Sequence, residues 1–404
     1  MRELRNLVLA GCVLALGGFA PACSNDDDSP TPASTSGRGG TSSAGTDRGG
    51  SAGQTDSSEG GQGERGGQSG TSEGGTANSA SGGAEGNQGG EDNHAGATNS
   101  GGAAGGPSTA PPVSIFYLDA SRDRVMWLPP RARQPKILVS NAGKGPDGIA
   151  VDTTIGALFW TTMGVPADED GAVSRANLDG SESTSIIATG DTFTPKQIQV
   201  DASGGKLYWA DREGMRIQRA DLDGSALETL VTVASGAAAR SDASHFCVGI
   251  AIDPEGGYLY WTQKGDATAS NGSIRRAHLE IPQGQTDIDR TDVEILFEGV
   301  SEPIDLAIDP VAGYLYWTSR GDNTVNRAGL EVPDGETAAT RRDREVLVPN
   351  VEEPIGISLG PTGENLYFTN LAGTIGRYDL NTGTYEDVLT GGGALTGLSV
   401  VAPF

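Results

Sequence analysis

Six polar side chains stand at or just before short apolar segments of β type: Asp147, Lys196, Gln197, His245, Asp305 and Thr396. Carboxylates and amides converging from several segments could hold a cation, because Ca²⁺ takes several oxygen ligands and a metal hydrolase needs such a set. Asp168-Glu169-Asp170 offers three further carboxylates, but without the spacing and terminal Glu of an EF-hand it reads as a solvated acidic loop. His245 and His278 are too few and too far apart to argue a metal cluster, so no metal ligand is assigned. Arg320-Gly321-Asp322 spells an adhesion tripeptide, but chance and a simple β-turn explain it better. The chain carries no His-Glu-x-x-His, no paired-Cys motif and no serine in a credible nucleophile context, so no catalytic residue is assigned. Gly61-Gln62-Gly63-Glu64-Arg65-Gly66 and Gly49-Gly50-Ser51-Ala52-Gly53 match nucleotide-binding and hydrolase patterns. Neither has the strand before and helix after that those motifs require.

The composition says which segments can position such residues. From Ser24 to Pro112 there is no Val, Leu, Ile, Met, Phe, Tyr, Trp or Lys, and 25 of the 89 residues are Gly. Such a tract has nothing to bury against its ordering entropy, so 23–112 is expected to be a disordered tether. Ahead of it, Arg2 and Arg5 precede the apolar stretch Leu7 to Phe19, followed by Ala20-Pro21-Ala22-Cys23. That reads as an export signal over 1–22, too short for the ~20 residues of a membrane span. It resembles a bacterial lipobox, which would make Cys23 the lipidated residue. Leu9-Ala10-Gly11-Cys12 matches better but leaves too short an apolar run. Lipid-free Cys247 would then be the only thiol, so no disulfide is expected, and it reads as a small buried residue. The balance of 28 Lys+Arg against 53 Asp+Glu argues against nucleic acid, which needs a basic face.

Residues 113–404 repeat. Leu158-Phe159-Trp160-Thr161, Leu207-Tyr208-Trp209-Ala210, Leu259-Tyr260-Trp261-Thr262, Leu315-Tyr316-Trp317-Thr318 and Leu366-Tyr367-Phe368-Thr369 follow a first variant, Ile115-Phe116-Tyr117-Leu118. A strand precedes each later copy and another follows it, carrying Arg175, Arg219, Arg276, Arg327 or Arg377. Leu-Asp-Gly-Ser turns, a hairpin signal, lead to a fourth. A period near 50 with short strands predicts an all-β propeller, six blades of four strands. The first unit lacks its inner strand, whereas Leu398-Ser399-Val400-Val401 is spare at the C-terminus. That strand is expected to complete blade one and close the ring without a free edge. One aromatic per blade reads as packing between blades, and one Arg per blade as a pair with a carboxylate or carbonyl of its own blade.

These repeats resemble the YWTD six-bladed β-propellers, named from low-density-lipoprotein receptor class B repeats, over 113–404. The fourth motif residue is Asp only at 119 and 211, so the family's Asp hydrogen bonds do not carry over to Thr162, Gln263, Ser319 and Asn370. The resemblance implies a ligand-binding or spacer domain rather than an enzyme. In a propeller the loops before inner strands and those between second and third strands share one face, near whose axis the six polar residues are expected. Residues 113–404 hold 23 basic and 41 acidic residues, so that face would suit a protein or glycan ligand, a cationic one included. The expected protein is an exported lipoprotein of the cell envelope, touching membrane only through its anchor. The alternative is a metal-dependent hydrolase or lactonase with an axial cation, Ca²⁺ among the possibilities, and no other cofactor.

Overall fold

A computed structural model describes residues 111–166 and 168–404. The export signal, Cys23, Cys12 and the tract up to residue 110 lie outside the described residues. The described chain is six four-stranded antiparallel sheets. Blade one holds β1 (Ser114–Asp119), β2 (Arg124–Leu128) and β3 (Lys136–Val139). Blade two holds β4 (Pro146–Asp152), β5 (Ala157–Thr162), β6 (Ala172–Asn177) and β7 (Thr184–Ile187). Blade three holds β8 (Pro195–Asp201), β9 (Lys206–Asp211), β10 (Arg216–Asp221) and β11 (Glu228–Thr232). Blade four holds β12 (Cys247–Asp253), β13 (Tyr258–Gln263), β14 (Gly272–His278) and β15 (Glu294–Val300). Blade five holds β16 (Pro303–Asp309), β17 (Tyr314–Ser319), β18 (Thr324–Gly329) and β19 (Glu345–Val348). Blade six holds β20 (Pro354–Leu359), β21 (Asn365–Asn370), β22 (Ile375–Asp379) and β23 (Thr384–Leu389).

The last strand, β24 (Leu395–Val401), pairs antiparallel with β1 and completes blade one from the inside. It begins three residues before the spare segment legible in the sequence. The inner strands β24, β4, β8, β12, β16 and β20 touch in cyclic order, which makes the six sheets a closed propeller. Two single 3₁₀ turns, Ala239–Ser241 and Ala243–His245, interrupt the otherwise helix-free pattern, in the long connection from blade three to blade four.

The core lies between blades rather than within them. Six apolar clusters each join consecutive blades; one sets Tyr208, Ile217 and Leu230 of blade three against Leu259 and Trp261 of blade four. Trp160, Trp209, Trp261, Trp317 and Phe368 are all buried, as expected of aromatics that carry ~150–250 Å² each into a core. Every inner strand bulges near its start, as between Pro146 and Ile149 or Pro303 and Leu306. Bulges re-aim side chains, and here they create two special positions per blade. The first is Asp147, Lys196, Val248, Ile304, Ile355 or Thr396; the second is Gly148, Gln197, Gly249, Asp305, Gly356 or Gly397. Asp147 and Asp305 therefore occupy different positions, although the sequence alone suggests one register for both.

The glycines at the second position have a steric reason. A Cβ on Gly148 would lie 2.4 Å from Lys196 O, and one on Gly249 would lie 2.5 Å from Ile304 O. The motif threonines use the same proximity. Thr262 Oγ accepts from Gly249 N at 2.7 Å and donates to Ile304 O of the next blade at 2.8 Å. Thr161 and Thr318 repeat this with Gly148 N and Lys196 O, and with Asp305 N and Ile355 O. Thr369 does so with Gly356 N and Thr396 O. Each hydroxyl satisfies two buried backbone groups whose orphaning would be costly.

Candidate functional site: the axial face

Five of the six polar residues meet under the axial face. Lys196 Nζ donates to Asp147 Oδ2 at 2.5 Å, and Gln197 Nε2 donates to Asp147 Oδ1 at 3.0 Å. Thr396 Oγ donates to Pro146 O at 2.9 Å, linking blades one and two where Leu118 cannot. Asp305 accepts from Leu306 N at 2.9 Å and from Ile357 N of blade six at 3.0 Å. All five are buried, from 2% exposed at Asp147 to 8% at Lys196. They form a polar floor whose partners are mostly each other and the backbone, rather than side chains reaching into solvent.

Burial sets the electrostatics of this floor. It pushes the Lys196 ammonium down from its ordinary value, against the opposing pull of Asp147. It also pushes the Asp305 carboxyl up to about 8, aided by the Asp147 charge and opposed by the amides of Ile357 and Leu306. Asp305 thus carries a proton over much of the neutral range. Below it an axial cavity of about 270 Å³ has a lining that includes one small or polar residue from each inner strand: Ala150, Gln199, Ala251, Ala307, Ser358 and Ser399.

His245 does not join this group. The turn Ala243–His245 ends two residues before β12, and His245 Nδ1 meets Ala239 O at 3.0 Å. Its ring instead lines a separate cleft over blade four, with Gln263 and Arg275. The sequence placed it near the axis because it precedes an inner strand, but the 3₁₀ turns bend that connection away. The sequence marked Gln263 only as a departure from the motif Asp, and Arg275 only through the doublet Arg275-Arg276, which no other third strand has.

The surrounding loops are tied together by charge. Glu302, ahead of blade five, meets Lys264 of blade four at 2.6 Å and Arg320 at 3.1 Å. Asp322 meets Arg344 at 2.7 Å, so both charges of the Arg-Gly-Asp tripeptide are engaged within the chain. Arg212 pairs with Glu213 at 2.6 Å, and the Arg240 guanidinium lies 4.0 Å over the Phe193 ring. Asp168, Glu169, Asp191, Glu352 and Glu353 remain exposed among these loops. Within Asp168-Glu169-Asp170, Asp170 accepts from Val165 N and shapes its own loop. Among the described residues, no three His, Cys, Asp or Glu side chains group so that they could hold a metal ion.

The repeated arginines pair both within and between blades. Arg219 meets Glu228 of its own blade at 2.7 Å and Glu280 beyond blade four's third strand at 2.6 Å. Arg276 does the same with Glu294 and Glu331. Arg327 and Arg377 pair only inward, with Glu345 and Glu386, among the described residues. Arg175 lies over the Phe159 ring instead. Cys247 is buried, and burial pushes its thiol up.

A closed ring of six such blades defines a β-propeller, and the comparisons give its family. No family model matches the chain. The "low-density lipoprotein receptor-related protein 1" of Pyricularia oryzae is 36% identical over 312 residues, covering 73% of this chain and 100% of that protein. On that likeness and the repeats described above, the chain belongs to the YWTD-type propellers of low-density-lipoprotein receptor class B repeats. The "3-hydroxyacyl-CoA dehydrogenase-like protein LAM1" of Cochliobolus heterostrophus is 39% identical over 248 residues, 58% of this chain and 52% of that protein. The chain thus spans only about half of that second relative. A chain in the crystal structure of a nidogen/laminin complex superposes with a TM-score of 0.55 at 23% identity, covering 72% of this chain and 98% of that one. That likeness shows the fold alone.

Proposed function

We propose that the protein is an exported binding module, anchored at the cell envelope by a lipid on Cys23, whose axial face captures a protein or glycan. The observation that carries this reading is the state of the axial groups. Asp147 is committed to Lys196 and Gln197, and both oxygens of Asp305 to backbone amides, so these groups brace the floor from within. Above it, Glu302 ties Lys264 of blade four to Arg320 of its own blade, and the exposed remainder of that rim is mostly acidic, with Lys144 as an exposed exception. Preorganised, mostly negative charge steers a complementary partner and lowers the ordering cost of capture. The receptor-type name of the Pyricularia relative and the complex in which the nidogen/laminin neighbour was solved point the same way.

The test uses the full chain purified from its membrane, in glycan-array binding and crosslinking to intact cells, beside Glu352→Lys/Glu353→Lys. A bound partner lost on charge reversal and weakened by salt supports the reading. Binding indifferent to both overturns it. One tightly held cation per chain, lost in Asp147→Asn or Asp305→Asn, would instead restore the hydrolase alternative. For the anchor, Cys23→Ser should move the protein from the membrane to the soluble fraction; unchanged membrane retention removes the lipid from the account.

A further inference from the structure

The cleft that takes His245 has a volume of about 580 Å³, the size that accommodates small ligands, and shares no lining residue with the axial cavity. It lies on blade four, with Val233 after β11 at its edge, and its walls come from Ser244-His245, the ends of β13 and β15, and the start of β14. Gly272 forms part of it; a Cβ there would lie 2.5 Å from Pro303 Cδ and 2.6 Å from Lys264 O. A larger residue there would collide with the start of blade five, so the close packing of this wall against Pro303 requires glycine.

Two groups in this cleft lack the partners that their counterparts have. Gln263 is 2% exposed; its Nε2 donates to Ser244 O at 2.8 Å, but its Oε1 accepts nothing. At the same position Asp211 accepts from Phe193 N and Thr194 N, and Asn370 Oδ1 accepts from Thr374 N. Arg275 is the cross-strand neighbour of Trp261, a place held by Ser174, Gln218, Asn326 and Gly376 in blades two, three, five and six. Its Nε donates to Ser273 Oγ at 3.1 Å, and among the described residues no carboxylate comes within ion-pair distance. Glu298, exposed at the cleft, lies beyond that distance. The cleft thus holds a half-buried guanidinium in no ion pair, with only the more distant Glu298 charge acting on it, and a buried amide oxygen that no group donates to, each of which costs free energy while unsatisfied. A single ligand can satisfy both.

We propose that this cleft binds a small carboxylate bearing an N–H or O–H donor on the adjacent carbon, the carboxylate on Arg275 and the donor on Gln263 Oε1. Guanidinium presents the planar fork that matches a carboxylate. An amino acid, a hydroxy acid and the free C-terminus of a peptide share this chemistry. The site is separate from the axial face and stands whether or not that face captures a partner.

Calorimetry on the full chain tests it with L-alanine, L-lactate and a tripeptide, each against its amide, and with propionate as an acid lacking the donor. Binding of the free acids in the millimolar range or tighter, absent for the amides, is expected. A free amino or hydroxy acid that outbinds the tripeptide identifies a solute site; the reverse identifies a peptide C-terminus. Arg275→Gln should weaken binding at least tenfold and Arg275→Lys less, while the exposed Arg342→Gln changes nothing. Gln263→Met should bring L-lactate down to the affinity of propionate without altering propionate itself. Failure of every acid to bind at millimolar concentration overturns the proposal, as does equal binding by Arg275→Gln and the parent chain.

Discussion

Lys196 reaches Asp147 across 49 residues of sequence, and both ends of that contact are buried. A buried pair adds little net stability, because desolvation offsets attraction, yet removing one partner strands the other. Lys196→Met is therefore expected to destabilise the protein by about 3–5 kcal/mol, and Lys196→Met/Asp147→Asn to recover most of the loss. Denaturant midpoints of the two variants decide it; a single variant within about 1 kcal/mol of the parent would show that the pair is already solvated. Asp305 gives a pH signature of opposite origin. Its folded value of about 8 lies above the ordinary 3.8, so the folded state holds a proton that the unfolded chain releases in between. Stability from this group is complete below the lower value and declines as pH rises toward the upper one, by at most about 1.4 kcal/mol per pH unit. Asp305→Asn should flatten the stability profile between those limits. Equal slopes in both proteins would place the proton elsewhere. The sequence exposed these residues through their polar type at strand starts. It could not show that they satisfy one another, since that depends on a bulge that separates Asp147 from Asp305 by one position.

At the scale of strands, the motif threonine carries more than its place in a pattern suggests. Thr262→Val keeps the shape but leaves Gly249 N and Ile304 O unpaired, at about 1–3 kcal/mol for each buried group. Hydrogen exchange should quicken first at the seam of blades four and five, with the seam of blades one and two still protected. Uniform loosening would mean that the threonines do not act seam by seam. The period, the four-strand unit and the closing strand were legible because alternating apolar residues and Asp-Gly turns are local signals. Contacts between blades were not. Leu279-Glu280-Ile281-Pro282 recurs as Leu330-Glu331-Val332-Pro333, and Arg290 recurs as Arg341. The structure turns this second repeat into a clamp. Arg290 Nη1 donates to Leu230 O at 2.8 Å and Arg341 Nη1 to Leu296 O at 3.0 Å, in each case on the outer strand of the preceding blade. Glu280 and Glu331 reach back to that blade's third-strand arginine. A motif that seems internal to a loop is thus a staple between neighbours, which nearest-residue reasoning does not reveal.

For the whole molecule, closure is the step on which the other interactions depend. Bringing β24 beside β1 joins the ends of the folded chain, and a loop of that length costs on the order of 5 kcal/mol in closure entropy. Leu395, Leu398 and Val400 become buried in return, at about 1.5–3 kcal/mol each. The two terms are of similar size, so β24 should hold the ring shut by a modest margin while also protecting the inner edge of β1. Without it, β1 loses its inner partner, and β4 and β20 lose the neighbour between them. A chain ending at Ala394 should therefore lose cooperative melting and self-associate through the bared edge of β1, since unpaired edges recruit strands. Light scattering and thermal denaturation would show dimers or larger species and a broadened transition. Adding a peptide spanning 390–404 should restore a monomer that melts cooperatively, because the missing strand brings its own burial and hydrogen bonds. A truncated chain that stays monomeric with unchanged melting would mean that the four untouched seams hold the ring alone, and that β24 shields an edge without securing the closure.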